Sequence, residues 1–233
     1  MAADSALLGR QRAEAYWFLA SLFGSPIGPD ALERIASVNA GVPSEEQGIA
    51  AELNAALNGE VDWNALAQRL ATEHARLFLG LREGFGPAPP YESLWRQGRA
   101  MGESTLAVAR AYSEAGFDDK GPWGPCDHLV YELRFMASLS HAEEEASRAA
   151  AIEETEWARE CQIRFLDEHL LTWVPEYCER IAEQAQEPLY QALAKVTGRV
   201  IAEDARQLRS DCTNHGADRS SSSGVGSAKR VET

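Results

Sequence analysis

Asp62-Trp-Asn-Ala-Leu-Ala-Gln-Arg-Leu-Ala-Thr-Glu-His-Ala-Arg-Leu-Phe-Leu-Gly80 carries the clearest periodicity in the chain and decides its fold class. Trp63, Leu66, Ala67, Leu70, His74, Leu77 and Phe78 recur at spacings of three and four, which puts them on one stripe of a helix. Asp62 is placed to accept a bond from a free first-turn N–H, and Gly80 to end the helix. The same spacing continues outward on both sides. Leu8, Ala15, Leu19 and Leu22, crowded by Tyr16, Trp17, Phe18 and Phe23, predict a helix over 4–23 that Gly24-Ser25-Pro26 stops. Helices follow at 30–38 and 45–58, the second opened by Ser44 with Gln47 three residues on, a reciprocal capping pattern.

Downstream, the loop 80–90 holds three Gly and three Pro and is expected to be ordered by docking. A helix after Tyr91, broken near Gly98 and Gly102, runs to Gly116; a second irregular loop, 117–125, leads into a helix ending near His141. Long helical stretches at 144–172, 176–186 and 188–209 complete the folded part, with Pro175 ending or kinking the first of them. β-branched residues are sparse, and no polar–apolar alternation bounded by turns occurs. The expected fold is therefore all-α, a single globular bundle of roughly nine helices over 1–210. Residues 211–233, including Ser220-Ser-Ser-Ser-Gly224, lack apolar periodicity and read as a disordered Ser/Gly-rich tail.

Composition limits what such a bundle does. Hydrophobic residues at 45% and charged residues at 25% over 233 positions are those of a globular domain with a sizeable core. With 36 acidic against 22 basic residues the formal charge is -14, which opposes binding to nucleic acid and favours a cationic peptide. No apolar run reaches membrane-spanning length and the N-terminus lacks a basic segment followed by an apolar one, so a cytoplasmic location is expected. Cys126, Cys161, Cys178 and Cys212 are too widely spaced for a zinc site or a disulfide framework, and reduced cysteines without a metal or cofactor are expected.

Two loop-to-helix junctions carry the chemistry. Pro125-Cys-Asp-His-Leu-Val-Tyr-Glu-Leu133 sets an acid beside an imidazole, and Pro89-Pro-Tyr-Glu-Ser-Leu-Trp95 sets two aromatics four residues apart. Asp127 reads either as the cap of the helix that follows or as a ligand contact, and the Asp127–His128 pair suits hydrogen bonding to a polar ligand near neutral pH. His74 reads as a hydrogen-bonded core histidine, Leu77 and Phe78 as core or groove, and Tyr91 with Trp95 as a shared helix face. Cys126 and His128 together invite a second reading, a small all-α hydrolase or nucleotide-binding enzyme, but no nucleophile elbow, Walker loop or dinucleotide fingerprint accompanies them.

The ordered set Glu73-His-Ala-Arg-Leu-Phe-Leu-Gly80, Pro90-Tyr-Glu-Ser-Leu-Trp95, Asp127-His-Leu129 with Glu132-Leu133 and Phe135-Met136, then Phe165, His169-Leu170, Trp173 and Pro188-Leu-Tyr190 resembles the TorD/DmsD family of redox-enzyme maturation chaperones, related more distantly to the NarJ type. The resemblance spans roughly 5–208. It implies a non-enzymatic cytoplasmic chaperone that binds the twin-arginine leader and the apo form of a molybdopterin-containing oxidoreductase subunit until cofactor insertion precedes export, as a monomer or a segment-swapped dimer. It also implies leader contacts at Asp127, His128, Leu77 and Phe78, with His74, Pro90, Tyr91 and Trp95 around them. His74 stands where the family commonly has an aromatic, and Trp123-Gly-Pro-Cys126 replaces an acidic residue often found before the Asp-His pair. An acidic rim beside an apolar groove complements two guanidinium groups followed by an apolar segment.

Overall fold

In the computed structural model, which describes residues 2–37, 45–57, 59, 62–80, 86–119 and 121–222, the chain is all-α. Its helices are α1 (Ala2–Gly24), α2 (Pro29–Ser37), α3 (Glu45–Ala56), α4 (Trp63–Phe78), α5 (Glu92–Gln97), α6 (Glu103–Ala115), α7 (Leu129–Arg148), α8 (Ile152–Phe165), α9 (Leu171–Gln184) and α10 (Pro188–Ser222). A π turn, Leu166–Leu170, fuses α8 to α9 into one rod, so the ten α-helices form nine separate helical bodies among the described residues.

Local signals explain most of these limits. Asp62 accepts from the Ala65 backbone N–H at 3.0 Å and opens α4. Gly80, at φ +57, closes it, and a Cβ there would meet the Pro89 ring at 2.8 Å, so the position requires glycine twice over. Gly98 and Gly116 cap α5 and α6 in the left-handed conformation, as the break near Gly98 and Gly102 predicts. The Ser44 cap expected for α3 lies outside the described residues.

Two expectations are corrected. α7 does not end near His141 but runs to Arg148, and the break falls at 149–151, where Ala150 takes φ 54. The extra turns persist because Glu143 and Glu144 are buried and ion-paired. Pro175 does not end a helix; it lies inside α9, after the widened π turn, with Thr172 Oγ1 bonded to the His169 carbonyl at 2.5 Å. The backbone of α10 continues past 209 to Ser222, while the rest of the expected tail, 223–233, lies outside the described residues.

α7 is the axis of the bundle. It packs most extensively against α1, where the helices approach so closely that a Cβ on Gly9 would stand 3.1 Å from the backbone of Ser140 and Glu144. α8 lies on its other side, and the pair α9–α10 closes the core around Trp173, Tyr177 and Tyr190. Arg12 of α1 is buried between Glu143 of α7 and Asp204 of α10, the latter 2.8 Å away; Arg159 of α8 reaches the same Glu143 at 2.6 Å. Gln162 donates to Glu143 at 2.9 Å and Tyr16 to Asp204 at 2.7 Å. One ionic cluster thus ties four helices together.

Candidate functional site

The two loop-to-helix junctions are sewn into a single seam. Tyr91 and His128 form an isolated antiparallel bridge; Glu92 N–H donates to the Asp127 carbonyl at 2.9 Å and Leu129 N–H to the Pro90 carbonyl at 2.9 Å. Side chains then divide the capping differently from the reading of Asp127 as the cap of the helix that follows. His128, not Asp127, caps α7, its Nδ1 accepting from Val130 N–H at 3.1 Å. Asp127 instead crosses the seam to α5, where Oδ2 accepts from Ser93 N–H at 2.9 Å. Its other oxygen, Oδ1, is buried and accepts no hydrogen bond among the described residues.

Because Nδ1 is used as an acceptor, His128 is neutral, and burial, helped by the nearby His74, pushes its pKa down to about 3. Burial also lowers the pKa of His74, whose Nε2 lies 3.2 Å from the Phe23 carbonyl. An unfolded histidine takes up a proton near pH 6.5 while His128 in the fold does not until about 3, so His128 contributes stability above about pH 6.5 that is lost as pH falls through this window. Glu132, held protonated by burial and by Glu92, acts with the opposite sign, losing stability as pH rises above the ordinary carboxylate range. The His128→Asn variant keeps a capping oxygen and isolates the histidine. Between pH 7 and pH 5 its unfolding free energy is expected to fall by roughly 1–2 kcal/mol less than that of the parent, measured by urea titration at both pH values.

The structure brings together Pro90, Tyr91, Asp127 and His128. Pro90, Asp127 and His128 are buried and Tyr91 is half-buried. His74, Leu77 and Phe78 form an adjoining interior cluster: the Phe78 ring lies 5.4 Å from Phe23, 4.9 Å from His74 and 5.3 Å from Tyr190. Of the two open readings for Leu77 and Phe78, core is the one the structure shows, with 0% and 3% exposure. Trp95 links the clusters, 5.3 Å from Tyr177 and donating Nε1–H to the Pro89 carbonyl at 3.1 Å. Cys126 is half-buried and donates to the Thr105 carbonyl at 3.4 Å; burial and Asp127 push its thiol up to about 11, which removes the thiolate a nucleophile needs. No group of His, Cys, Asp or Glu among the described residues has metal-binding geometry.

Residues that the sequence did not single out cover the seam. Residues 117–119 and 121–125 form a strap, pinned where Tyr91 Oη donates to the Trp123 carbonyl at 2.7 Å, Trp123 Nε1 donates to the Gly24 carbonyl at 2.9 Å, and Tyr131 donates to the Gly121 carbonyl. The Trp123 ring stacks on His128 at 6.4 Å. Arg134 of α7 lies over the rings of both Trp123 and Trp17 and pairs with Asp119 at 2.7 Å. The signal available for this set was a tryptophan in each of two segments, without any periodicity joining them.

The seam falls inside a region shared with known proteins. The model of the nitrate reductase delta subunit family matches residues 39–179, which include both junctions, α4 and the whole of α7. The chain belongs to that family. Its membership is of the TorD/DmsD type that the motifs indicate: a chaperone protein TorD from Vibrio cholerae (serotype O1, strain O395) is 29% identical over 212 residues, covering 87% of this chain and 94% of that one. A chaperone protein TorD from Vibrio vulnificus (strain YJ016) is 28% identical over 197 residues, covering 80% and 89%. A crystal structure from Archaeoglobus fulgidus, of a candidate redox enzyme maturation protein, shares the fold with a TM-score of 0.51 at 22% identity, over 81% of this chain and 93% of that one. No helix among the described residues is long and apolar enough to cross a membrane.

Proposed function

We propose that this chain is a client-specific chaperone of redox-enzyme maturation, which binds the twin-arginine leader and the apo form of a molybdopterin-containing oxidoreductase subunit in the cytoplasm and releases them after cofactor insertion. Membership of the delta subunit family and the names of the TorD relatives support the chaperone reading. The net charge of -14 supports a cationic ligand.

Within the structure, the observation that carries leader binding is Asp127. A fully buried carboxylate with one oxygen unbonded is costly, and such a group in a native fold points to a partner that arrives from outside. A guanidinium supplies the donors that Oδ1 lacks. The leader site of this reading is the seam: Asp127 and His128 supply polar contacts, Pro90 and Tyr91 flank them, and Leu77, Phe78, His74 and Trp95 form the packed wall behind. Since these side chains are buried or half-buried, the leader enters by displacing the strap that carries Trp123. The work is binding without turnover, in keeping with a protonated Cys126 and a neutral, capped His128.

The reading is tested by capture. Tagged chain is co-expressed with a precursor oxidoreductase subunit from the same organism, with its leader, without it, or with its two arginines changed to lysine. Retention of the full precursor and loss of the other two is the expected result; equal retention of all three overturns leader recognition.

A further inference from the structure

Arg134 occupies a place that suits an arginine from elsewhere. Its guanidinium carbon is 4.8 Å from the centroid of the Trp17 ring on α1 and 4.5 Å from that of Trp123 in the strap, and its Nη1 donates to Asp119 Oδ2 at 2.7 Å. Two indole faces and a carboxylate are the chemistry that recognises a planar cation. Trp17 is 55% exposed, a large apolar surface left open on the face of a helix whose other aromatics are packed inward.

A groove of about 570 Å³ opens beside this seat, between α1 and α7. Ala13, Trp17, Phe117 and Ala137 give it an apolar floor, and Glu14 and Glu144 at its edge are ion-paired with Arg10 and Arg148. The basic residues at the groove are already neutralised: Arg10 pairs with Glu14 at 2.7 Å, and Arg134 with Asp119. The seat is also continuous with the seam, because Trp123 stacks on His128 and its carbonyl takes the Tyr91 hydroxyl proton.

We propose that Trp17, Trp123 and Asp119 form a guanidinium seat which Arg134 fills as an internal placeholder, and that a leader arginine displaces Arg134 while the leader's apolar segment lies along the α1–α7 groove. The inference rests on the leader-binding reading above and extends the leader's path from the seam onto the adjoining α1–α7 face. Displacement of Arg134 unpins Asp119 and Trp123 together, and so loosens the strap over Asp127. An internal competitor lowers apparent affinity by the fraction of time the seat is empty, so removing it tightens binding.

The test is a calorimetric titration of the parent, Arg134→Gln and Trp17→Ala with a synthetic peptide of two adjacent arginines followed by a Leu/Ala-rich apolar segment, and with its Lys-Lys counterpart. Circular dichroism confirms folding. Arg134→Gln is expected to bind the Arg-Arg peptide roughly tenfold more tightly than the parent, and Trp17→Ala roughly tenfold more weakly. Binding by the parent that is unchanged in Trp17→Ala, or unchanged or weaker in folded Arg134→Gln, overturns the seat and leaves the leader reading standing. Should Arg134→Gln fail to fold, Trp17→Ala decides alone, its side chain being more than half exposed. No binding of either peptide by any of the three proteins overturns both.

Discussion

Arg12→Ala is expected to lower unfolding free energy by about 3–5 kcal/mol, among the largest effects of any single substitution in this chain. Arg12 is 2% exposed and stands between Glu143 and Asp204, so its removal leaves two buried carboxylates short of a cation rather than merely deleting a contact. Arg159 still reaches Glu143, which keeps the loss from being complete on that side. Asp204 retains the Tyr16 hydroxyl, a weaker partner than a guanidinium. In a chain of this size the loss corresponds to a drop in thermal midpoint on the order of 10 °C, read by circular dichroism. A change below about 2–3 °C would mean that the cluster stabilises far less than its burial implies. The burial, not the number of ion pairs, sets the size: Arg180–Glu183 on the surface, each half or more exposed, is of the kind that contributes between zero and about 1 kcal/mol.

Phe78→Ala is the second large effect, also about 3–5 kcal/mol, because the ring is 3% exposed and fills the space between Phe23, His74 and Tyr190. On the proposed function, leader binding is affected as well. Its loss in this variant would report a weakened core as readily as a lost contact, so binding must be measured at a temperature where chemical denaturation shows the variant folded. A denaturation midpoint within error of the parent would show that Phe78 lies at an open surface. With Phe78 in the core, the variant is destabilised first, and leader affinity changes only through the wall behind the seam.

Much of the fold is legible because the information is local. The stripe through Leu66, Leu70, Leu77 and Phe78 needs only its own spacing, and Asp62, Gly98 and Gly116 act within one turn of where they stand. What was not legible depends on distant partners. Glu143 and Glu144 lie beyond the expected helix end near His141, since nothing nearby in sequence says that Arg12, 131 residues before Glu143, will bury with it. The tolerance of Pro175 depends on a π turn, which has no periodic signature.

The site divides along the same line. Both junctions are visible as loop-to-helix transitions, and their residue types mark Asp127, His128, Pro90 and Tyr91. Their joining is not visible, because Asp127 serves Ser93, 34 residues away, and leaves its own helix to His128. Which acid caps which helix is a tertiary fact. Trp17, Trp123 and Arg134 come from three separate segments, and only the fold sets one cation over two rings.

Recognition of a leader's arginine pair stands at the centre of the proposed function. Its most direct measurement is a calorimetric titration with the leader peptide of the captured oxidoreductase and with the same peptide carrying Lys-Lys. Micromolar binding, about -8 kcal/mol, is predicted for the first and a loss of at least roughly tenfold for the second, since lysine offers neither the planar stacking face nor the forked donors. Equal affinities for the two peptides, or no heat with either, would contradict it.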